Sequence, residues 1–270
     1  MQYQIIVFDL DGTLTNSQKK ITPKTKQAIE QIQQQGIQVV LASGRPTCGI
    51  LPIAEELNLT KYGGFVLSFN GANVINMQTQ EVIYQKTLPI QIIPSLCEFA
   101  QQHKINLLSY EGNTIITHAS KDPYVIIESQ VNHMQVKQIS NLCDYIRFPV
   151  HKCMIVGDGD RLEQLEPIAV SQLGGQLNIY RSEPYFLEFM PQQIDKAYSL
   201  GKLLTHLGLD KQQMIACGDG FNDISMIAYA GLGVAMQNAQ PSVKASADYI
   251  TSSNDQDGIV KVIETFLIHN

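Results

Sequence analysis

The chain opens with an apolar run, Ile5-Ile6-Val7-Phe8, that ends abruptly at Asp9-Leu10-Asp11-Gly12-Thr13. An unbroken β-branched run of this kind is the pattern of a strand buried on both faces, which requires a parallel sheet covered by helices. Asp9 and Asp11 fall where that strand ends. Side chains at i and i+2 share a face and stand within roughly 7 Å of each other. Two carboxylates at the mouth of a buried sheet are costly unless a cation or a reaction uses them. Gly12 permits a tight turn there, and Thr13 offers backbone and hydroxyl donors.

The same rhythm recurs in the first third of the chain. Residues 3–9 read as a strand, Thr22-Pro23 opens a helix that Gly36 closes, and Ile37–Ala42 is a second buried strand ending at Ser43-Gly44-Arg45-Pro46. A helix through Leu57 leads to a third strand, Phe65–Phe69, which ends at Asn70-Gly71. The last third repeats it: a helix over Lys196–Leu207, a strand Met214–Cys217 ending at Gly218-Asp219, a helix Asp223–Tyr229, strands Leu232–Ala235 and Ala247–Thr251, and a closing helix Gly258–Ile268. Alternation at both ends predicts an α/β fold with one Rossmann-like parallel sheet and helices on both faces.

The middle differs. Glu81–Leu88, Ile105–Tyr110, Thr114–His118, Tyr145–Phe148, Lys152–Gly157, Leu177–Arg181 and Phe186–Met190 read as strands, with helices near 91–103 and 160–173 and a hairpin at Glu111-Gly112-Asn113. This predicts an α+β module inserted into the sheet. The core is then discontinuous, 1–83 and 188–270, around an inserted domain at 84–187.

Composition excludes several classes. With a net charge of −6, a nucleic-acid or anionic-membrane partner is not expected. No apolar run reaches the ~20 residues of a membrane span, and Asp9 interrupts the first apolar stretch, so it is not a signal peptide. The five cysteines, Cys48, Cys97, Cys143, Cys153 and Cys217, are odd in number and form no CxxC pair, so reduced thiols in a cytoplasm are expected. The histidines have no zinc-type spacing, so metal chemistry here must use oxygen ligands. There is no GxxxxGK[ST], and Gly231-Leu232-Gly233 lacks the remainder of a dinucleotide fingerprint.

Asp9, Ser43 and Asp219 each stand at the C-terminal end of an expected parallel strand, the edge where open α/β sheets bind ligands. Gly218-Asp219-Gly220-Phe221-Asn222-Asp223 adds polar groups before a helix start. Asp9, Asp219 and Asp223 make a hard-oxygen set that suits Mg²⁺ better than zinc. Ser43, the Gly44 amide and Lys196 could serve a phosphate held by that metal. Arg45 either reaches a substrate or forms a salt bridge near its loop. For Arg181 and Glu188 structural pairing is expected, and for Tyr110 and Asn113 a solvated turn.

These residues in this order resemble the haloacid dehalogenase-like hydrolases, Cof-type, with a class IIB cap. Asp9-Leu10-Asp11-Gly12-Thr13 resembles the first motif, Ser43-Gly44-Arg45 the second, Lys196 the third, and Gly218–Asp223 the fourth. Asn70-Gly71-Ala72 resembles the hinge before the cap, and Ala197 stands where the family often has glycine. The resemblance implies a Mg²⁺-dependent phosphatase acting through an aspartyl-phosphate. Asp9 would be the nucleophile and Asp11 the general acid and base. Leu10, Ser43, Gly44, Lys196 and Asn222 would hold the phosphoryl oxygens. Asp9, the Asp11 carbonyl and Asp219 would hold the metal, with Asp223 in or beside its shell. A small phosphorylated metabolite, most readily a sugar phosphate, would be the partner, and the protein a monomer or weak homo-oligomer. A phosphomutase and a non-catalytic phospho-ligand sensor are the alternatives.

Overall fold

The computed structural model describes residues 3–268, and the chain divides into two compact units. One is formed by the chain up to Gln85 and from Asp195 onward, the other by Lys86–Ile194. The first holds strands β1 Ile5–Phe8, β2 Gln38–Ala42, β3 Phe65–Ser68, β4 Asn73–Asn76 and β5 Val82–Gln85. The second holds β6 Asn106–Glu111, β7 Thr114–Thr117, β8 Gln135–Gln138, β9 Cys153–Val156, β10 Leu177–Glu183 and β11 Phe186–Pro191. The chain then returns to the first unit with β12 Met214–Gly218, β13 Leu232–Ala235 and β14 Tyr249–Ile250.

The first unit is an eight-stranded sheet in the order β14-β13-β12-β1-β2-β3-β4-β5. β1 lies at its centre, parallel to β12 on one side and β2 on the other, with all four of its residues fully buried. Such a strand can carry no polar side chain until it leaves the sheet, so Asp9 is the first position at which one is tolerated. Helices flank the sheet. Pro23–Gln34 starts from Thr22, whose hydroxyl accepts the Thr25 amide, and ends before Gly36 at φ +86. Lys196–Leu207 starts from Asp195, whose carboxylate accepts the Tyr198 amide, and ends on Gly208 in the left-handed region.

The sheet is not wholly parallel. β3 and β4 pair antiparallel, as do β4 and β5. Phe69, Asn70 and Gly71 all take positive φ, so the chain reverses within a few residues, too few for a parallel crossover. Of the stretch 81–88, expected in the inserted module, Val82–Gln85 is instead the edge strand of the first sheet, and Lys86 onward belongs to the second unit. At the far border, β11 is hydrogen-bonded to both β10 and β9 and belongs wholly to the second unit, so the boundary falls after Ile194 rather than at 188. Gln33 is buried and donates to the Leu57 carbonyl.

The second unit is a six-stranded sheet in the order β10-β11-β9-β6-β7-β8. Leu107, Ile116, Cys153, Ile155, Leu187 and Phe189 alternate onto one face and form its core with helices Ile93–Gln102 and Gly159–Leu173. Glu188, between Leu187 and Phe189, points the other way and pairs with Lys152 at 2.9 Å. Tyr110 donates to Glu128 at 2.7 Å and is buried, not part of a solvated turn. Arg181 pairs with Glu166 and Glu163, as expected of a structural residue.

Two expectations fail here. Residues 145–148 form no strand; Asn141 caps a helical turn, Leu142–Tyr145, by accepting the Asp144 amide. Helix Pro123–Val131, unforeseen, makes the crossover between parallel β7 and β8. The cysteines also differ from expectation. Cys97 and Cys143 form a disulfide between helix Ile93–Gln102 and that turn, their Cα atoms 6.2 Å apart, within ordinary disulfide reach. Cys153 and Cys217 are buried and Cys48 is half-buried, and the three lie outside that disulfide.

Candidate active site

The order β12-β1-β2 sets three C-terminal strand ends side by side, which brings Asp219, Asp9 and Ser43 to one edge from widely separated parts of the chain. Lys196 joins them. Its ammonium is fully buried and donates to Asp9 Oδ1 at 2.7 Å, Asp223 Oδ1 at 2.6 Å and the Ala42 carbonyl at 2.9 Å. All three donors of the ammonium are used. The other Asp223 oxygen accepts the Asp219 and Gly220 amides at 3.0 and 2.9 Å, which fixes the loop carrying Asp219. Thr13 Oγ1 donates to Asp219 Oδ1 at 2.7 Å, tying the first motif to the fourth.

Asp9, Asp219 and Asp223 each offer an oxygen within 4.8 Å of the others. One ammonium therefore faces three carboxylates, and the imbalance appears in their acidities. Burial and the neighbouring Asp223 push Asp9 up to about 8, against the pull of Lys196. Burial raises Asp219 to about 6, opposed by the Thr13 hydrogen bond. Lys196 is raised above its usual range, because Asp223 and Asp9 together outweigh its burial. A buried oxygen set with surplus negative charge fits a hard divalent cation, and with no imidazole or thiolate in the set it suits Mg²⁺ rather than zinc.

Asp11 does not stand free beside Asp9. Arg45 forks onto it, Nε to Oδ2 at 2.8 Å and Nη2 to Oδ1 at 2.7 Å, and Lys19 adds a bond to Oδ1 at 2.8 Å. Burial alone would raise this carboxyl, but the Arg45 and Lys19 hydrogen bonds and charges hold it below the usual range. Of the two readings of Arg45, the salt bridge is the one present in this state.

Ser43 is buried; its hydroxyl oxygen accepts the Arg45 amide at 3.1 Å. A methyl on Gly44 would press on the Asn70 amide. Asn70 in turn accepts from Asn222 Nδ2 at 3.0 Å, so the hinge-like Asn70-Gly71 and the fourth motif meet. Leu10 is fully buried, and its carbonyl accepts the Thr15 amide and hydroxyl, which anchors the loop. Gly12 has φ +88, and any side chain there would collide with the Asp219 carboxylate.

Sequence reasoning missed three members of this arrangement: Lys19, the partnership of Arg45 with Asp11, and Asn238, which donates to the Gly12 carbonyl at 2.7 Å. Lys19 had no signal of its own. Asn238 lies beyond the quoted motifs, 226 positions from the Gly12 it meets.

A family model described as haloacid dehalogenase-like hydrolase matches residues 6–263. The chain belongs to this hydrolase family. A haloacid dehalogenase-like hydrolase from Bacteroides thetaiotaomicron shares 48% identity and superposes with a TM-score of 0.94, covering 98% of this chain and 99% of that one. The HAD subclass IIB sugar phosphatase BT4131 gives 25% identity and a TM-score of 0.80, covering 97% of this chain and 98% of its own. The 5-amino-6-(5-phospho-D-ribitylamino)uracil phosphatase YcsE of Bacillus subtilis is 30% identical, covering 98% of this chain and 96% of that protein. Among the described residues, no helix is long and apolar enough to cross a membrane.

Proposed function

We propose that this hydrolase is a Mg²⁺-dependent phosphatase of small phosphorylated metabolites, foremost sugar phosphates, and that it works through a phosphoryl group carried on Asp9. The observation that supports this best is the buried Lys196 ammonium shared by Asp9 and Asp223 at the sheet edge, beside Asp219. BT4131, a sugar phosphatase, and YcsE, a 5-amino-6-(5-phospho-D-ribitylamino)uracil phosphatase, point to the same substrate class.

In this reading Asp9 attacks phosphorus and the ester oxygen leaves as an alcohol. Ser43, the Gly44 and Leu10 amides and Asn222 hold the phosphoryl oxygens, while Lys196, its three donors spent on Asp9, Asp223 and the Ala42 carbonyl, orients the nucleophile and contributes its charge. Asp11 gives the leaving oxygen its proton and later takes one from the water that releases phosphate. Asp9, Asp219 and the Asp11 carbonyl would hold Mg²⁺, with Asp223 beside them. The ion supplies the positive charge that a phosphate dianion needs next to carboxylates.

The test is phosphate release from p-nitrophenyl phosphate and a panel of sugar phosphates. Activity should vanish in EDTA and return with Mg²⁺. Asp9→Asn should lose at least roughly three orders of magnitude while remaining folded, and the wild type should show a trapped phosphoenzyme by mass. Full turnover without metal, or near-normal turnover in a folded Asp9→Asn protein, would overturn the reading.

A further inference from the structure

Arg45 and Lys19 have no evident task in a reaction on a simple phosphomonoester, yet both are aimed at the residue proposed to protonate the leaving group. Arg45 is held in place: Nη1 donates to the Gly49 carbonyl at 3.3 Å while Nε and Nη2 fork onto Asp11. It stands two residues after Ser43, so its position beside the phosphoryl pocket is fixed by the backbone. Lys19 is presented by a built turn. The Asn16 side chain accepts the Gln18 and Lys20 amides, and Lys19 itself sits at φ +59, a region non-glycine residues seldom occupy.

The charges do not balance. Two cations share one carboxylate, which leaves a surplus positive charge at the position of the leaving group. The arrangement is also not a working one. Asp11 Oδ1 receives two charged donors and Oδ2 a third, so neither oxygen is free to meet a leaving group. A planar guanidinium fork accepts any two-oxygen anion in the same geometry, whether a carboxylate or a phosphate. A ligand anion arriving there would take the fork and leave Asp11 to the ester oxygen.

We infer that Arg45 is a specificity residue for the leaving group, and that the preferred substrates carry a second anionic group, a carboxylate or another phosphate, close to the phosphoester oxygen. This rests on the phosphatase reading above and narrows its substrate class. Phosphorylated sugar acids and bisphosphates fit; neutral polyol monophosphates fit less well. Lys19, on the exposed side of Asp11, contributes charge without the planar geometry and is the weaker partner.

The test compares matched pairs that differ in one group. Wild-type protein with Mg²⁺ should hydrolyse 2-phosphoglycerate with kcat/KM roughly ten- to hundredfold above glycerol 2-phosphate, the worth of one charge-assisted fork. In Arg45→Ala that ratio should fall to about threefold or less, and in Arg45→Lys, which keeps charge but not the fork, it should lie between. Calorimetric binding of phosphonoacetate against ethylphosphonate to the wild type should show the same preference without turnover or a variant. A wild-type ratio near one in both comparisons, or a ratio that survives in folded Arg45→Ala, would overturn the inference. Failure to hydrolyse p-nitrophenyl phosphate would instead remove the phosphatase reading, and the phosphonate comparison would still decide whether Arg45 selects a second anion.

Discussion

Lys196→Met replaces the one buried ammonium of the site with an apolar side chain of similar length. The loss is not three hydrogen bonds alone. Asp9 and Asp223 stay behind with their oxygens aimed at the space the charge filled, and the Ala42 carbonyl loses its donor. Removing one partner of a fully buried ion pair costs about 3–5 kcal/mol. For a unit of this size each kcal/mol shifts Tm by about 2–4 °C, so the first unit should melt roughly 6–20 °C lower. The pH dependence has a definite sign. Burial already raises Asp9 in the folded state, and without the cation it rises further, so the folded state binds more protons than the unfolded chain and stability falls as pH rises. The deficit should therefore be largest near pH 8 and shrink toward pH 5. Adding Asp223→Asn should recover part of it by removing one of the stranded charges. Scanning calorimetry in EDTA is the assay, and the chain's lack of tryptophan makes it preferable to intrinsic fluorescence. A Tm within about 2 °C of wild type at pH 8, or a deficit equal at both pH values, would refute the view of Lys196 as the counter-charge of this pair.

Gly12→Ala adds a methyl at φ +88 against the Asp219 carboxylate, and phosphate release should fall roughly a hundredfold from misplacement of that group. Burial pushes His151 down to about 4, below its value in the unfolded chain, so the unfolded state takes up the proton first as pH falls. The second unit should then lose about 2–3 kcal/mol between pH 7 and pH 4.5, read by hydrogen exchange, and His151→Gln should flatten that dependence. Asp11→Asn should slow the first step far more for a sugar phosphate than for p-nitrophenyl phosphate, whose leaving group scarcely needs a proton. With the aryl substrate the variant should show a nitrophenol burst and then a slow steady rate; equal slowing with no burst would mean that Asp11 only shapes the loop.

The sheet core and the site edge were legible because their signals are local. An apolar run that stops at a carboxylate marks both a buried strand and its end, which is why β1, β2 and β12 and the positions of Asp9, Ser43 and Asp219 could be read directly. Lys196 could be read as a charge for the phosphate, and the resemblance made it the third motif, but its complete burial could not be read. What was lost depends on reversals and long-range partners. The antiparallel edge turns on positive φ at Phe69 and Asn70, residues that give no such warning. Helix Pro123–Val131 has a cap-and-proline start in Asp122-Pro123, but its apolar residues fall on several sides and give no clear helical stripe. The disulfide joins cysteines 46 positions apart through the packing of two helices, which no spacing rule finds. Asp11 was foreseen as a free acid because the guanidinium that engages it lies 34 positions away.

The position of β1 at the centre of the first sheet has a consequence for biosynthesis. β2 follows within about one helix of sequence and covers one side, but β12, which covers the other, lies beyond the whole second unit. At about 5–20 residues per second, the ribosome needs on the order of 10–30 s after β2 to produce it. For that interval the other backbone edge of Ile5–Phe8 has no partner of its own chain, and a flat apolar strand in that state is a template for pairing with another nascent chain. The second unit, ending at Ile194, is complete shortly before β12 begins at Met214. Conditions that slow elongation through Lys86–Ile194 should therefore lower the soluble yield without altering the protein once made.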